Sequence, residues 1–243
     1  MHLHSTTTGD GGRHLGLVHG LGGDGGTWQP LVDRLLATGS WTITTVDLRG
    51  HGHSDRASSY RLDDFADDLA TALPTGLDGV VGHSLGGSVL ARAVGRLRPR
   101  RAVYLDPGFA LALPTTGLAG RLFWAVPLVT LGVSGAVQAR RSAAARAAYG
   151  PDVRAALEGA GARFDRRMAL GVFRDVAFHP LEVGPPEVPS AIVLTDDSPA
   201  VLPDAVASRL EQAGWEVRRL ADVHHDLHLE APDRTAAVLT DLL

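Results

Sequence analysis

Cysteine is absent from all 243 residues, and with it go a disulfide framework, a thiolate nucleophile and any cysteine-ligated metal. Lysine is absent as well. The 23 basic residues are all arginine, a bias that a GC-rich genome explains without a functional role. Nor is there a basic excess: the net charge of −4 gives no electrostatic pull toward nucleic acid, and no nucleic-acid partner is expected. The opening Met1-His-Leu-His-Ser-Thr-Thr-Thr-Gly9 has neither the basic nor the apolar region of a signal peptide, so the expected location is cytoplasmic. One apolar stretch, 117–133, approaches membrane-spanning length, but Arg121, Pro127 and three glycines interrupt it. A buried or lid helix is expected there, not a membrane span.

The length suits one α/β domain with a sizeable core. Short apolar, β-prone runs at 15–18, 42–46, 79–81, 102–105, 191–194 and 216–220 alternate with helical patterns at 28–37, 62–72, 84–97, 204–213 and 233–242. That rhythm predicts a mostly parallel, doubly wound sheet with helices on both faces, and residues 3–8 supply a possible edge strand. The rhythm breaks between Pro107 and Glu187, where helical patterns continue without a convincing strand. A structureless loop of that length is rare in a compact domain. The expected organisation is therefore a core of residues 1–106 and 188–243, with 107–187 inserted as a helical cap. Phe123 and Trp124 in that insertion are candidates either for a pocket lining or for packing within the cap.

The chemistry is concentrated in Asp78-Gly-Val-Val-Gly-His-Ser84-Leu-Gly-Gly87. A buried strand leads into a helix, and between them Gly82-His-Ser84-Leu-Gly86 reads G-x-S-x-G, the pattern of a nucleophile elbow. The elbow serine takes a strained backbone conformation, and side chains on the flanking glycines would collide with neighbouring chain. Ser84 is thus raised above the amino end of a helix, where the Leu85 amide favours developing negative charge. A serine hydroxyl also needs a base. Of eleven histidines, His225 in Ala221-Asp-Val-His-His-Asp-Leu-His-Leu-Glu-Ala-Pro232 is the best placed, after the last strand, with His224 and His228 as competitors. The acid that orients the imidazole is taken as Asp197, beyond the strand 191–194, while Asp196 and Asp106 stay open. The amide of Leu21, in His19-Gly-Leu-Gly-Gly23, is the second candidate oxyanion donor.

Together these segments resemble the α/β-hydrolase superfamily, in its single-domain group with a helical cap. The matching pieces are His19-Gly-Leu-Gly-Gly23, Asp47-Leu-Arg-Gly-His-Gly-His-Ser-Asp55, Gly82-His-Ser-Leu-Gly-Gly87, Tyr104-Leu-Asp-Pro107 and His225-Asp-Leu-His-Leu-Glu-Ala-Pro232. Two departures stand out. Only about 13 residues precede the first matching strand, which implies abbreviated N-terminal strands, and the acid loop Thr195-Asp-Asp-Ser-Pro199 lacks its usual glycine. The resemblance implies an esterase-like serine hydrolase acting on a small-molecule substrate, with no cofactor and no metal. It also implies that His19, His51 and His53 shape loops. The alternative is a non-hydrolytic binding protein or lyase on the same fold.

Overall fold

Strands β4 (Gly79–His83), β5 (Ala102–Leu105) and β6 (Ser190–Leu194) are buried at every residue, as central parallel strands covered on both faces require. They belong to one seven-stranded sheet in the computed structural model, which describes residues 1–111, 113–126, 129–130, 132, 140 and 143–243. The order is β1 (Ser5–Thr8), β3 (Trp41–Val46), β2 (Arg13–Val18), β4, β5, β6, β7 (Glu216–Arg219). Only β1 runs antiparallel, against β3, and this single exposed four-residue edge strand is what precedes β2, in keeping with abbreviated N-terminal strands.

Successive residues of a strand point to opposite faces, and the core divides accordingly. Val18, Val80, Tyr104 and Ile192 join one apolar cluster with helices α2 (Leu62–Ala72), α3 (Leu85–Leu97) and α8 (Asp204–Gln212). Leu17, Val81, Val103 and Val193 join the other, with α1 (Gln29–Leu36) and α10 (Pro232–Leu242). Helix, sheet and helix form three layers.

The chain winds outward from β2 to β3, then returns across β2 to β4 and proceeds to β7. The direction of winding therefore reverses between β2 and β4. In an open α/β sheet, the loops leaving the carboxyl ends of strands at such a reversal are where ligands usually sit. The loop after β2 carries Leu21, and the turn after β4 carries Ser84.

Between β5 and β6 the described residues form α4 (Gly117–Ala125), α5 (Ala143–Ala147), α6 (Pro151–Arg163) and α7 (Met168–Phe178), with no strand among them. Pro127 and, from the Arg- and Ala-rich run before Tyr149, residues 138–139 and 141–142 lie outside the described residues. Polar contacts tie this segment to the loops at the catalytic edge. The Asp165 amide donates to Gly50 O (2.8 Å), Tyr60 Oη to Asp165 (2.8 Å) and the Leu62 amide to Asp175 (2.7 Å). Trp124 donates its indole N–H to Pro114 O (2.9 Å) and packs between Phe123 and Phe178. No helix among the described residues is long and apolar enough to cross a membrane.

Candidate active site

Ser84 sits between β4 and α3 with φ 50° and ψ −114°, a conformation that costs a non-glycine residue about 1–3 kcal/mol. Four backbone hydrogen bonds hold it there. Its amide donates to Leu105 O (3.0 Å), and its carbonyl accepts from the amides of Gly87, Ser88 and Gly108 (3.0, 3.3 and 3.1 Å). The two flanking glycines are needed for close approach. A Cβ on Gly82 would fall 2.5 Å from Gly86 O, and one on Gly86 would overlap Val18 O. Ser84 as a whole is half-buried at the carboxyl end of β4.

Of the three candidate histidines, only His225 reaches Ser84, with Nε2 3.0 Å from Oγ. His224 is held by Glu230, through both its ring (2.9 Å) and its amide (3.0 Å). His228 is buried against Trp28, its ring centroid 4.4 Å away.

Asp106, not Asp197, meets His225 Nδ1. Asp106 follows β5, the strand beside β4, and is fully buried with φ 43°. Its second carboxylate oxygen accepts from Ser198 Oγ, which in turn accepts from the Thr195 amide (2.6 Å). Asp197 immediately precedes the turn Ser198–Ala200, and it is Ser198 that reaches the carboxylate. No hydrogen bond joins Asp197 or Asp196 to His225 among the described residues; Asp196 receives the Asp222 amide instead (2.9 Å).

Burial opposes the charged form of both partners, but their mutual attraction outweighs it. Desolvation lowers the affinity of His225 for a proton, while the hydrogen bond and charge of Asp106 raise it further, leaving the pKa above the ordinary histidine value. Desolvation likewise raises Asp106, and His225 with Ser198 pulls it down to a net lowering. A base is active when neutral, so the rate should rise with pH through one ionisation lying above the ordinary histidine value. A kcat/KM–pH profile checks this; a midpoint below that value would exclude His225 as the titrating base.

The amides of Leu21 and Leu85 have no acceptor among the described residues, and Leu85 opens α3, where the helix dipole favours negative charge. The Leu21 loop is fixed by histidines. His19 donates Nδ1–H to Gly20 O (2.8 Å) and accepts the Leu48 amide at Nε2 (3.0 Å). His51 accepts the neighbouring Gly22 amide (3.1 Å) and donates to Arg49 O (3.0 Å). Burial lowers both pKa values, that of His51 to about 3, so both rings are neutral linkers. Asp47 receives the amides of Gly25 (2.7 Å) and His53 (2.8 Å), joining the loops after β2 and β3. Among the described residues no group of three or more histidine, aspartate or glutamate side chains could hold a metal ion.

Two residues near the site carry no local mark in the sequence. Ser198 is one more serine, in the loop Thr195-Asp-Asp-Ser-Pro199. His83 fills the variable position of G-x-S-x-G, yet its Nε2 reaches the backbone carbonyl of His225.

A family model described as the alpha/beta hydrolase family matches residues 17–238. Over 103 residues the chain is 42% identical to the non-heme chloroperoxidase CPO-A1 of Kitasatospora aureofaciens, a match covering 39% of this chain and 37% of that protein. Over 91 residues it is 34% identical to the pimeloyl-[acyl-carrier protein] methyl ester esterase of Aliivibrio salmonicida, covering 37% of this chain and 33% of that one. The matches thus span about a third of the length of these curated relatives. Among solved structures, a hydrolase from Oleispira antarctica has a TM-score of 0.77 at 18% identity, covering 98% of this chain and 93% of that one, which is a likeness of fold. With the family match running from β2 into α10, the chain belongs to the α/β-hydrolase family.

Proposed function

We propose that the protein is a serine hydrolase that cleaves an ester or related acyl bond through an acyl-enzyme. The observation that carries the reading is the line from Ser84 Oγ through the His225 ring to buried Asp106. Ser84 Oγ attacks the substrate carbonyl carbon while His225 Nε2 takes the hydroxyl proton. The amides of Leu21 and Leu85 hold the oxyanion that forms. Collapse of the tetrahedral species expels the leaving group, which takes its proton from His225. Water, deprotonated by the same nitrogen, then attacks the acyl carbon and releases the acid and Ser84. Asp106 stays ionised and stabilises the imidazolium throughout. The chemistry requires neither a cofactor nor a metal.

The helices of residues 107–187 act in this reading as a cap. Arg163 pairs with Asp24 (2.5 Å) on the loop after β2, and Arg146 with Asp226 (3.3 Å) beside the base, which supports placing the segment over the carboxyl ends of the strands. The substrate is a small to medium, uncharged molecule, and the methyl ester esterase among the relatives favours an ester.

A fluorophosphonate probe should label the protein stoichiometrically at Ser84, and His225→Gln should abolish both labelling and turnover of p-nitrophenyl esters of graded acyl length. A protein inert to probe and esters alike would favour a binding role. Labelling lost only in His224→Gln or His228→Gln would move the base.

A further inference from the structure

We propose that His83 is a positioning residue for the base, its Nε2–H holding the backbone carbonyl of His225 and thereby setting where the His225 imidazole sits. The inference rests on the reading of His225 as base. His83 Nε2 lies 2.9 Å from His225 O, and a carbonyl only accepts, so Nε2 carries the proton. That carbonyl has no other donor among the described residues. The flanking residues are tied elsewhere: the Val223 carbonyl accepts the Asp196 amide (3.0 Å), and His224 is taken by Glu230. The segment that delivers the imidazole is thus pinned at its centre by one side chain.

That side chain is itself immobilised. His83 is 4% exposed, at the end of the central strand β4. Its ring lies 4.9 Å from the His225 ring and 4.6 Å from His228, with Trp28 edge-on at 6.4 Å. On a further side Nδ1 faces Gly20, where a Cβ would fall 2.8 Å away. Burial, then the nearby His225, lowers the His83 pKa to about 4, so the ring stays neutral in the pH range where His225 works. No hydrogen bond links His83 to Ser84 Oγ among the described residues; it acts on the base and not on the nucleophile. Residues 83 and 84 therefore divide the work at the end of one strand, one carrying the hydroxyl and the other fixing its proton acceptor.

A purely structural histidine would affect stability and leave the chemistry of folded molecules unchanged. Two variants separate the cases, each measured per active site by probe titration. His83→Phe keeps a flat ring in the slot and removes the N–H; His83→Gln keeps an N–H near the Nε2 position. Displacing a catalytic group by a fraction of an ångström to 1 Å costs about ten- to a hundredfold in rate, which is the loss expected in kcat for His83→Phe, with KM little changed. His83→Gln should recover to within about threefold of the parent.

The kcat/KM–pH inflection should also move down in His83→Phe, because a loosened His225 loses part of its hold on Asp106. The other groups acting on His225, namely Asp226, Asp197 and buried, neutral His228, are unchanged in both variants. A readout that needs no variant is the 15N spectrum of labelled histidine in the parent protein. His83 should remain the Nε2–H tautomer from pH 5 to 9. A kcat for His83→Phe within twofold of the parent, equal impairment of the two variants, or an Nδ1–H tautomer would each overturn the proposal. Survival of activity in His225→Gln would instead overturn the reading on which it rests.

Discussion

Ser84→Ala is expected to lower kcat by at least about a thousandfold while the protein stays folded, because members of a triad act as a unit and removing one forfeits most of their joint effect. The fold should hardly register the change. Alanine meets the same positive φ that serine already tolerates, and among the described residues the hydrogen-bond partner of Ser84 Oγ is His225 alone. Turnover of a p-nitrophenyl ester and the thermal midpoint, measured on one preparation, test both halves. Activity within tenfold of the parent would remove Ser84 from the mechanism. A collapsed midpoint would mean that the hydroxyl holds the turn together, which its hydrogen bonds contradict.

The second large effect is expected at Asp106. Asp106→Asn keeps the size of the side chain but removes the charge that stabilises the imidazolium, and should cost up to about 10⁴ in kcat. The same substitution should move the surviving pH profile in a definite direction. Burial lowers the His225 pKa and Asp106 raises it; with the carboxylate gone, burial remains and the midpoint falls. Asp197→Asn, at a residue with no hydrogen bond to the base, should stay within about threefold. A severe loss at Asp197 with a mild one at Asp106 would return the acid to the loop after β6.

The difference between those two aspartates shows where the sequence becomes hard to read. Both follow a buried β-run at its carboxyl end, and chain order allows either. What separates them is strand order. β5 lies directly beside β4, so the residue after Leu105 stands next to the elbow, whereas β6 is one strand further away. Linear sequence carries no record of that adjacency. The direction of the side chain is hidden as well, since it depends on a left-handed backbone at Asp106 that aspartate adopts more readily than most residues.

The elbow was legible because its constraint is local. Gly82 and Gly86 answer to atoms a few residues away or on the next strand, and the strand-turn-helix pattern leaves a mark in the chain itself. Helix and strand boundaries of the sheet and the helices packed on it were legible to within a residue or two; the bounds of α4 to α7 were not, nor was the single turn Leu227–Glu230 inside the histidine loop, too short to show a period. His83 was hidden for another reason. A buried histidine on a central strand reads as one more core residue, and its hydrogen-bond partner is a carbonyl 142 positions away.

Ser84 and Asp106 share one further property. Each is the residue immediately after a pair, His83 and Leu105, that lies in register on neighbouring strands, and each has a positive φ. Two left-handed residues thus stand side by side at the ends of adjacent strands. Glycine would relax either turn, but glycine has neither a hydroxyl nor a carboxylate. At Asp106 glycine would also leave Ser198 and His225 without their buried acceptor. Under the proposed triad, the strain of these two turns is a structural cost borne for the side chains they present to His225.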